Sequence, residues 1–301
     1  MRRLPLIILL LLAGCGGGPV TQPPPASVLE AREMHRQALD AYQSGRYPAA
    51  LAMFEEAEKL FRSIDDPHGI ASAALSQAEL YLLYGRHEDA ARAAGRARNA
   101  IDRGSGTQLQ PQLALVEARL RIPEDPTVAR AALRELAALP GRTGALAALI
   151  ECDLAMQAGD ECLPRPIEGD PLLQARLYQL QGGASFRAGR NEEGLRRLQA
   201  ALSIYRSEGY RPGLASVHEA LAEARLQQGA EDEARQHLER ALYLRLWIND
   251  AVHARRVLER LEPLASDAEL ARRYAAWRAS LHDDAAEPQW EQMMTELLTP
   301  L

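Results

Sequence analysis

The chain has few aromatic side chains, 5% of its 301 residues, and a single lysine, Lys59. Alanine, leucine, glutamate and arginine take their place, a composition that favours helix over strand. Arginine supplies every other cation, and the codon usage of a GC-rich genome accounts for this without an arginine-specific role. Cysteine is scarce: Cys15, Cys152 and Cys162 are the whole set. No histidine lies near the last two to complete a metal-ligand group. Zinc-protease helix motifs, nucleophile elbows and phosphate loops are missing. Gly16-Gly17-Gly18 and Gly104-Ser105-Gly106 lack the lysine and the flanking strand that phosphate binding needs. The seven histidines are scattered, and Glu55-Glu56 and Glu192-Glu193 read as solvated helix faces. No nucleophile–base–orienter set emerges, so the expectation is a non-enzyme without cofactor or metal. A net charge of −6 argues against nucleic acid, which rewards clustered cations.

What is present begins at residue 1. Arg2 and Arg3 precede a short apolar run, Leu4 to Leu12, interrupted by Pro5 and closed by Leu12-Ala13-Gly14-Cys15. The run is too short to span a bilayer, which takes about 20 residues, and fits a cleaved export signal. Leu-Ala-Gly before a cysteine resembles the lipobox of bacterial lipoproteins; an ordinary secretory signal with an incidental cysteine is the alternative. The resemblance implies a signal peptide over 1–14, with cleavage before Cys15, diacylglyceryl and an amide-linked acyl chain (palmitate) on that residue, and a membrane anchor. Gly16 after the cysteine, in place of aspartate, implies sorting to the outer membrane, facing the periplasm. Residues 15–27 then form a lipidated start and a Gly/Pro-rich linker. Pro23, Pro24 and Pro25 favour extended polyproline II, reaching roughly 35 Å over the linker. Loss of the signal leaves a mature chain of about −8 charge, since Arg2 and Arg3 depart.

Self-similarity organises the rest. Gly45 and Gly85 are forty residues apart, as are Gly189 and Gly229. Each glycine ends one helical segment, and a second begins just after. Small residues recur five positions later (Ala50, Ala90, Gly194, Ala234), twelve later (Ala57, Ala97, Ala201, Ala241) and seven earlier (Ala38, Ala78, Gly182, Ala222). The two pairs are themselves related by an offset of 144, with Gly69 matching Gly213. This pattern resembles the tetratricopeptide repeat, with Tyr47 as the aromatic after the turn and Phe54 as the large apolar residue of the second helix. The tryptophan usual in the first helix is absent throughout. The resemblance implies an all-α fold, a right-handed α-solenoid of antiparallel helix pairs.

The expected organisation is a repeat pair at 28–107, degenerate helical repeats with an irregular segment at 108–172, a second repeat pair at 173–249, a capping helix pair at 250–282 and a tail helix at 283–301. Pro164, Pro166 and Pro171 argue against a regular helix after Gly159. Cys152 and Cys162, ten residues apart across Gly159-Asp160, either form a disulfide in an oxidising compartment, stabilising by about 2–3 kcal/mol, or remain two buried thiols. The tail, with Trp290, Met293, Met294, Leu297 and Leu298 near helical spacing, either folds back on the stack or docks on another protein.

In the tetratricopeptide pattern the first helix of each pair lines the concave side. The resemblance places Arg32, His35 and Tyr42, then Leu75, Glu79 and Leu82, on that inner face. The later pair contributes Arg176, Gln179, Phe186 and Arg187, then Glu219, Glu223 and Leu226. The set lacks the lysine and asparagine clamp that some members use for a terminal carboxylate. The functional expectation is a scaffold or adaptor for periplasmic or outer-membrane proteins or peptides. Lipoproteins of this build, by resemblance, assist secretin or pilus assembly, outer-membrane protein insertion or peptidoglycan synthesis. Two other classes compete: a ligand-binding or enzymatic subunit using the irregular middle, and a self-assembling structural lipoprotein.

Overall fold

The computed structural model describes residues 24–105, 107–158, 167, 169–281 and 288–298. The signal peptide, Cys15, most of the linker, Cys162 with the connection around it, and the hinge at 282–287 lie outside the described residues.

The described residues form helices without strands, arranged as successive antiparallel pairs. The first pair is α1 (Ala26–Gln43) and α2 (Tyr47–Ser63); the second is α3 (Pro67–Leu83) and α4 (His87–Ala100). Helix α1 starts directly after Pro25, so Ala26 and Ser27 belong to it and not to the linker. The middle holds α5 (Gln110–Arg121), α6 (Pro126–Ala137) and α7 (Arg142–Gln157). Then come α8 (Pro171–Arg187) with α9 (Asn191–Ser207), and α10 (Arg211–Gln227) with α11 (Glu231–Trp247). The stack ends with α12 (Ala251–Leu261), α13 (Ala268–Ser280) and α14 (Pro288–Leu298). No described helix is long and apolar enough to cross a membrane.

The turns explain the forty-residue glycine period. At Gly45 the backbone turns left-handed (φ 76°). The Arg46 N–H then reaches the Ala41 carbonyl at 2.9 Å, and the Gly45 N–H the Tyr42 carbonyl at 3.0 Å. These two hydrogen bonds satisfy carbonyls that a helix end otherwise leaves open. The same pair of bonds closes the turns at Gly85 and Gly189. Second helices end in the same way on Asp65 (φ 49°) and Asn249 (φ 56°), which tolerate that region better than most side chains. Proline opens several helices at the first turn, where no N–H is needed. Pro171 is one of these: it starts α8 and does not break it.

The small residues do what their spacing asks of them. Ala38, Ala50, Ala57, Ala78, Ala90 and Ala97 have no exposed surface, and neither have Ala201, Ala222, Ala234 and Ala241. Gly182 and Gly194 bring α8 and α9 so close that a Cβ on Gly194 would sit 3.0 Å from the Gly182 carbonyl. In the middle, α7 packs chiefly on α6 through Leu133 and Ala147, and reaches α8 through Leu149, Leu173 and Leu177. Helix α14 folds back on the stack. Trp290 and Met293 are buried in the core that α11 and α12 share with Tyr274.

One contact lies outside the nearest-neighbour order of a repeat stack. The Tyr47 and Tyr210 hydroxyls are 2.8 Å apart, across 163 residues of sequence. Beside them Gly45 lies against Pro212 and Ile248. The first pair thus reaches across the inner side to the α9–α10 turn and the end of α11.

Candidate functional site: a charged cleft inside the solenoid

This closure leaves a cleft of about 840 Å³, lined by side chains from α1 to α12. Tyr42, Glu79, Arg176, Gln179, Phe186, Arg187, Glu219 and Glu223 all line it. The remaining inward candidates do not. Arg32 is exposed elsewhere on α1. His35 packs edge-on against Phe54 and Phe61 at centroid distances of 5.5 and 5.8 Å, and burial first, then His68, depresses its pKa. Leu75 is fully buried, and Leu82 packs against the same core. Helix α3 is apolar around most of its circumference and sits between α2, α4 and α5, so two of its three inward positions became core. Leu226 joins the core around Leu238 and Leu242.

The cleft also holds residues that sequence spacing did not single out. Arg119 comes from α5, and Arg142, Leu146 and Ile150 come from α7. They lie in the middle region, where the glycine and small-residue signature fails, so no register identified their inner face. Tyr47 and Tyr210, at helix starts, line the cleft because the closing contact brings them there. Arg245 and Arg260 complete the opposite side.

Arg245 is the electrostatic centre of that side. Its guanidinium donates to Glu219 Oε1 (2.9 Å), Asp250 Oδ2 (3.1 Å) and Ser216 Oγ (3.0 Å). Burial lowers its pKa, but Glu219 and Asp250 more than offset this and keep it cationic. Asp250 is wholly buried. Burial pushes its carboxyl up, yet the bond from His253, the His253 and Arg245 charges and the His253 N–H together hold it below the usual carboxylate range. His253 Nδ1 lies 2.8 Å from Asp250 Oδ1. Tyr42 and Tyr47 stay protonated: burial raises both phenols, helped by Glu79 for Tyr42 and by Tyr210 for Tyr47. No group of three or more metal-ligating side chains occurs among the described residues.

The α8–α11 block that forms half of this cleft has a counterpart among known proteins. Residues 173–245 match the tetratricopeptide repeat family. With that match and its paired helices, the fold is an all-α, tetratricopeptide-like solenoid. Tetratricopeptide repeats indicate a surface for protein partners. No curated protein matches the chain.

Cys152 is buried in α7. Cys162 and most of the irregular segment invoked by the competing ligand-binding reading lie outside the described residues.

Proposed function

We propose that this chain is an outer-membrane lipoprotein, acylated on Cys15 and facing the periplasm, that holds a segment of a partner protein in its central cleft without catalysing a reaction. The cleft carries the reading: its walls mix arginines, glutamates, tyrosines and apolar side chains, which suits recognition of a polypeptide. The lipobox-like start supports the anchor and the compartment. Tethering the solenoid to a surface shared with its partners raises their effective concentration toward the millimolar range, which is how an adaptor of envelope machinery acts. In the same compartment Cys152 and Cys162 pair as a disulfide across the α7–α8 connection.

Two measurements test this. A photocrosslinking residue at Tyr42, inside the cleft, captures envelope proteins in intact cells, whereas one at Arg92, outside it, does not. Labelled palmitate enters the wild-type chain but not Cys15→Ser. Capture of nothing from Tyr42 removes the scaffold reading, and unlabelled wild-type chain removes the anchor.

A further inference from the structure

We propose that the seam on which the solenoid closes is a gate: it opens to admit a segment flanked by folded structure to the central cleft, and shuts around it. The occupant comes from the scaffold reading above, on which the inference rests; the gate adds how the cleft is reached.

The need for a gate follows from the walls of the cleft. They come from α1, α3, α5, α7, α8 and α10 to α12, and Tyr47 and Tyr210 complete them across the seam. A free chain end can thread into a closed ring. A segment with folded structure on both sides cannot, unless the ring parts somewhere. Parting between neighbouring helices would expose the buried apolar clusters that run through those contacts.

The seam is different. There, two turns of the first four helices meet two turns of the later ones. Gly45 lies against Pro212 and Ile248, and Tyr47 meets Tyr210 through one hydrogen bond. Beside them, Arg256 Nη2 is 3.8 Å from the Cβ position of Gly85. Both jaws are stiff. The near one is built on the left-handed turns at Gly45 and Gly85, and the far one on Asp250, which Arg245 and His253 hold. Opening therefore breaks few contacts and unfolds neither jaw, and small rotations between pairs supply the movement.

Tyr84 shows that the closed form is not fully satisfied. Its ring packs in the core around Tyr47 and Phe54. Its hydroxyl is buried and has no hydrogen-bond partner among the described residues. Burial, then Asp250, raises its phenol against the pull of Arg245, which puts the hydroxyl at the seam. A buried donor without a partner weakens the state that buries it, whereas the Tyr47–Tyr210 bond strengthens that state. The opposition keeps the shut and open forms close in free energy, as a gate that works in both directions requires.

The test measures access to the cleft in the full processed chain in detergent. Gly183→Cys supplies a thiol on the cleft wall, where a Cβ meets only Arg187 Nη1 at 3.7 Å, an ordinary contact. Two reagents are compared: N-ethylmaleimide, and a maleimide on a branched polyethylene glycol. Their rate ratio cancels the reactivity of the thiol, and the chain without Gly183→Cys gives the background. Two hydroxyl deletions should move that ratio in opposite directions. Tyr210→Phe strands the buried Tyr47 hydroxyl and raises the relative rate of the bulky reagent about fivefold or more. Tyr84→Phe removes the unpartnered hydroxyl and lowers it by a similar factor. Pro212→Ala, which frees Gly45, is the second opening variant if Tyr210→Phe fails to fold. An unchanged ratio in these variants, or shifts of the same sign, overturns the gate. So does a bulky reagent as fast as N-ethylmaleimide with the seam unaltered, since the cleft is then open already. In either case the scaffold reading stands, because that falls only with loss of in-cell capture from Tyr42.

Discussion

Gly69 and Gly213 sit at equivalent places in the two related halves, each directly under an aromatic ring from the preceding helix. Phe61 covers Gly69, and Tyr205 covers Gly213 so closely that a Cβ would meet its Cδ1 at 2.5 Å. The 144-residue echo therefore records one packing solution used twice: a ring at the end of a second helix and a bare backbone at the start of the next pair. Gly213→Ala is expected to destabilise by about 1–3 kcal/mol in urea denaturation, the usual cost of overpacking. Gly95→Ala is the control, since nothing lies within 4 Å of its Cβ position; it should stabilise α4 by up to about 1 kcal/mol. A second prediction at this scale concerns His218 and His237, whose Nδ1 atoms are 3.1 Å apart between α10 and α11. Burial, then His237, then Arg240 and Arg206 depress His218 to about 4. Burial, Arg240 and Arg225 lower His237 against the pull of Glu233. The unfolded chain therefore takes up these protons first, so stability is complete above about pH 6.5 and falls as pH drops toward about 4. The urea midpoint should decline over that window and decline less in His218→Gln; equal slopes in the two proteins would exclude the pair as the cause.

At the scale of the helix, α14 shows how the stack ends. Terminal repeats have an outer face with no neighbour to bury it, and here Trp290 and Met293 cover the apolar side of α11 and α12. Arg273 and Glu296 approach at 3.8 Å alongside. Trp290→Ala is expected to cost about 3 kcal/mol in thermal unfolding. Trp290→Phe should cost less than half of that, because the buried indole N–H has no acceptor among the described residues and its removal costs no bond there. The residues near helical spacing from Trp290 to Leu298 announced an amphipathic helix. They could not say whose surface it would meet. Elements with a strong period were the legible ones: the glycine turns and alanine contacts of α1–α4 and α8–α11 follow from spacing alone. Helices α5 to α7 were visible only as helical stretches. Their partner choice, α7 on α6, depends on how Leu133 and Ala147 meet, and no local signal encodes that.

For the whole molecule the decisive feature is closure. A repeat stack held only by neighbours has no reason to bring Tyr47 to Tyr210, yet the accumulated rotation of successive pairs does so. Gly45 and Gly189 hold the same place in the repeat and nearly the same backbone, φ 76° and 74°. An alanine at either is strained by the left-handed backbone. At Gly45 alone it also meets Pro212 Cγ at 2.5 Å, whereas nothing lies within 4 Å of Gly189. Gly45→Ala should therefore open the closure, raising the radius of gyration in small-angle scattering and the amide exchange of α1 and α2. Gly189→Ala should do neither. Matching scattering curves for the two variants would show that the Gly45–Pro212 contact does not hold the solenoid shut.

Taken by itself, the sequence determined that the chain is helical, where its well-marked turns fall and which alanines lie between helices. Those properties are set by interactions within some forty residues: left-handed turns, capping bonds and the size of the side chain at each helix contact. The resemblance to the tetratricopeptide pattern, and not helical period alone, pointed to Tyr42, Glu79, Arg176, Gln179, Phe186, Arg187, Glu219 and Glu223, which line the cleft, and equally to Arg32, His35, Leu75, Leu82 and Leu226, which do not. Tertiary structure alone decided that Leu75 would become core, that Arg119 and Arg142 would join the cleft, and that the inner surface would be closed across Tyr47 and Tyr210. These outcomes depend on small rotations between pairs, summed over the stack, and no single repeat carries that sum.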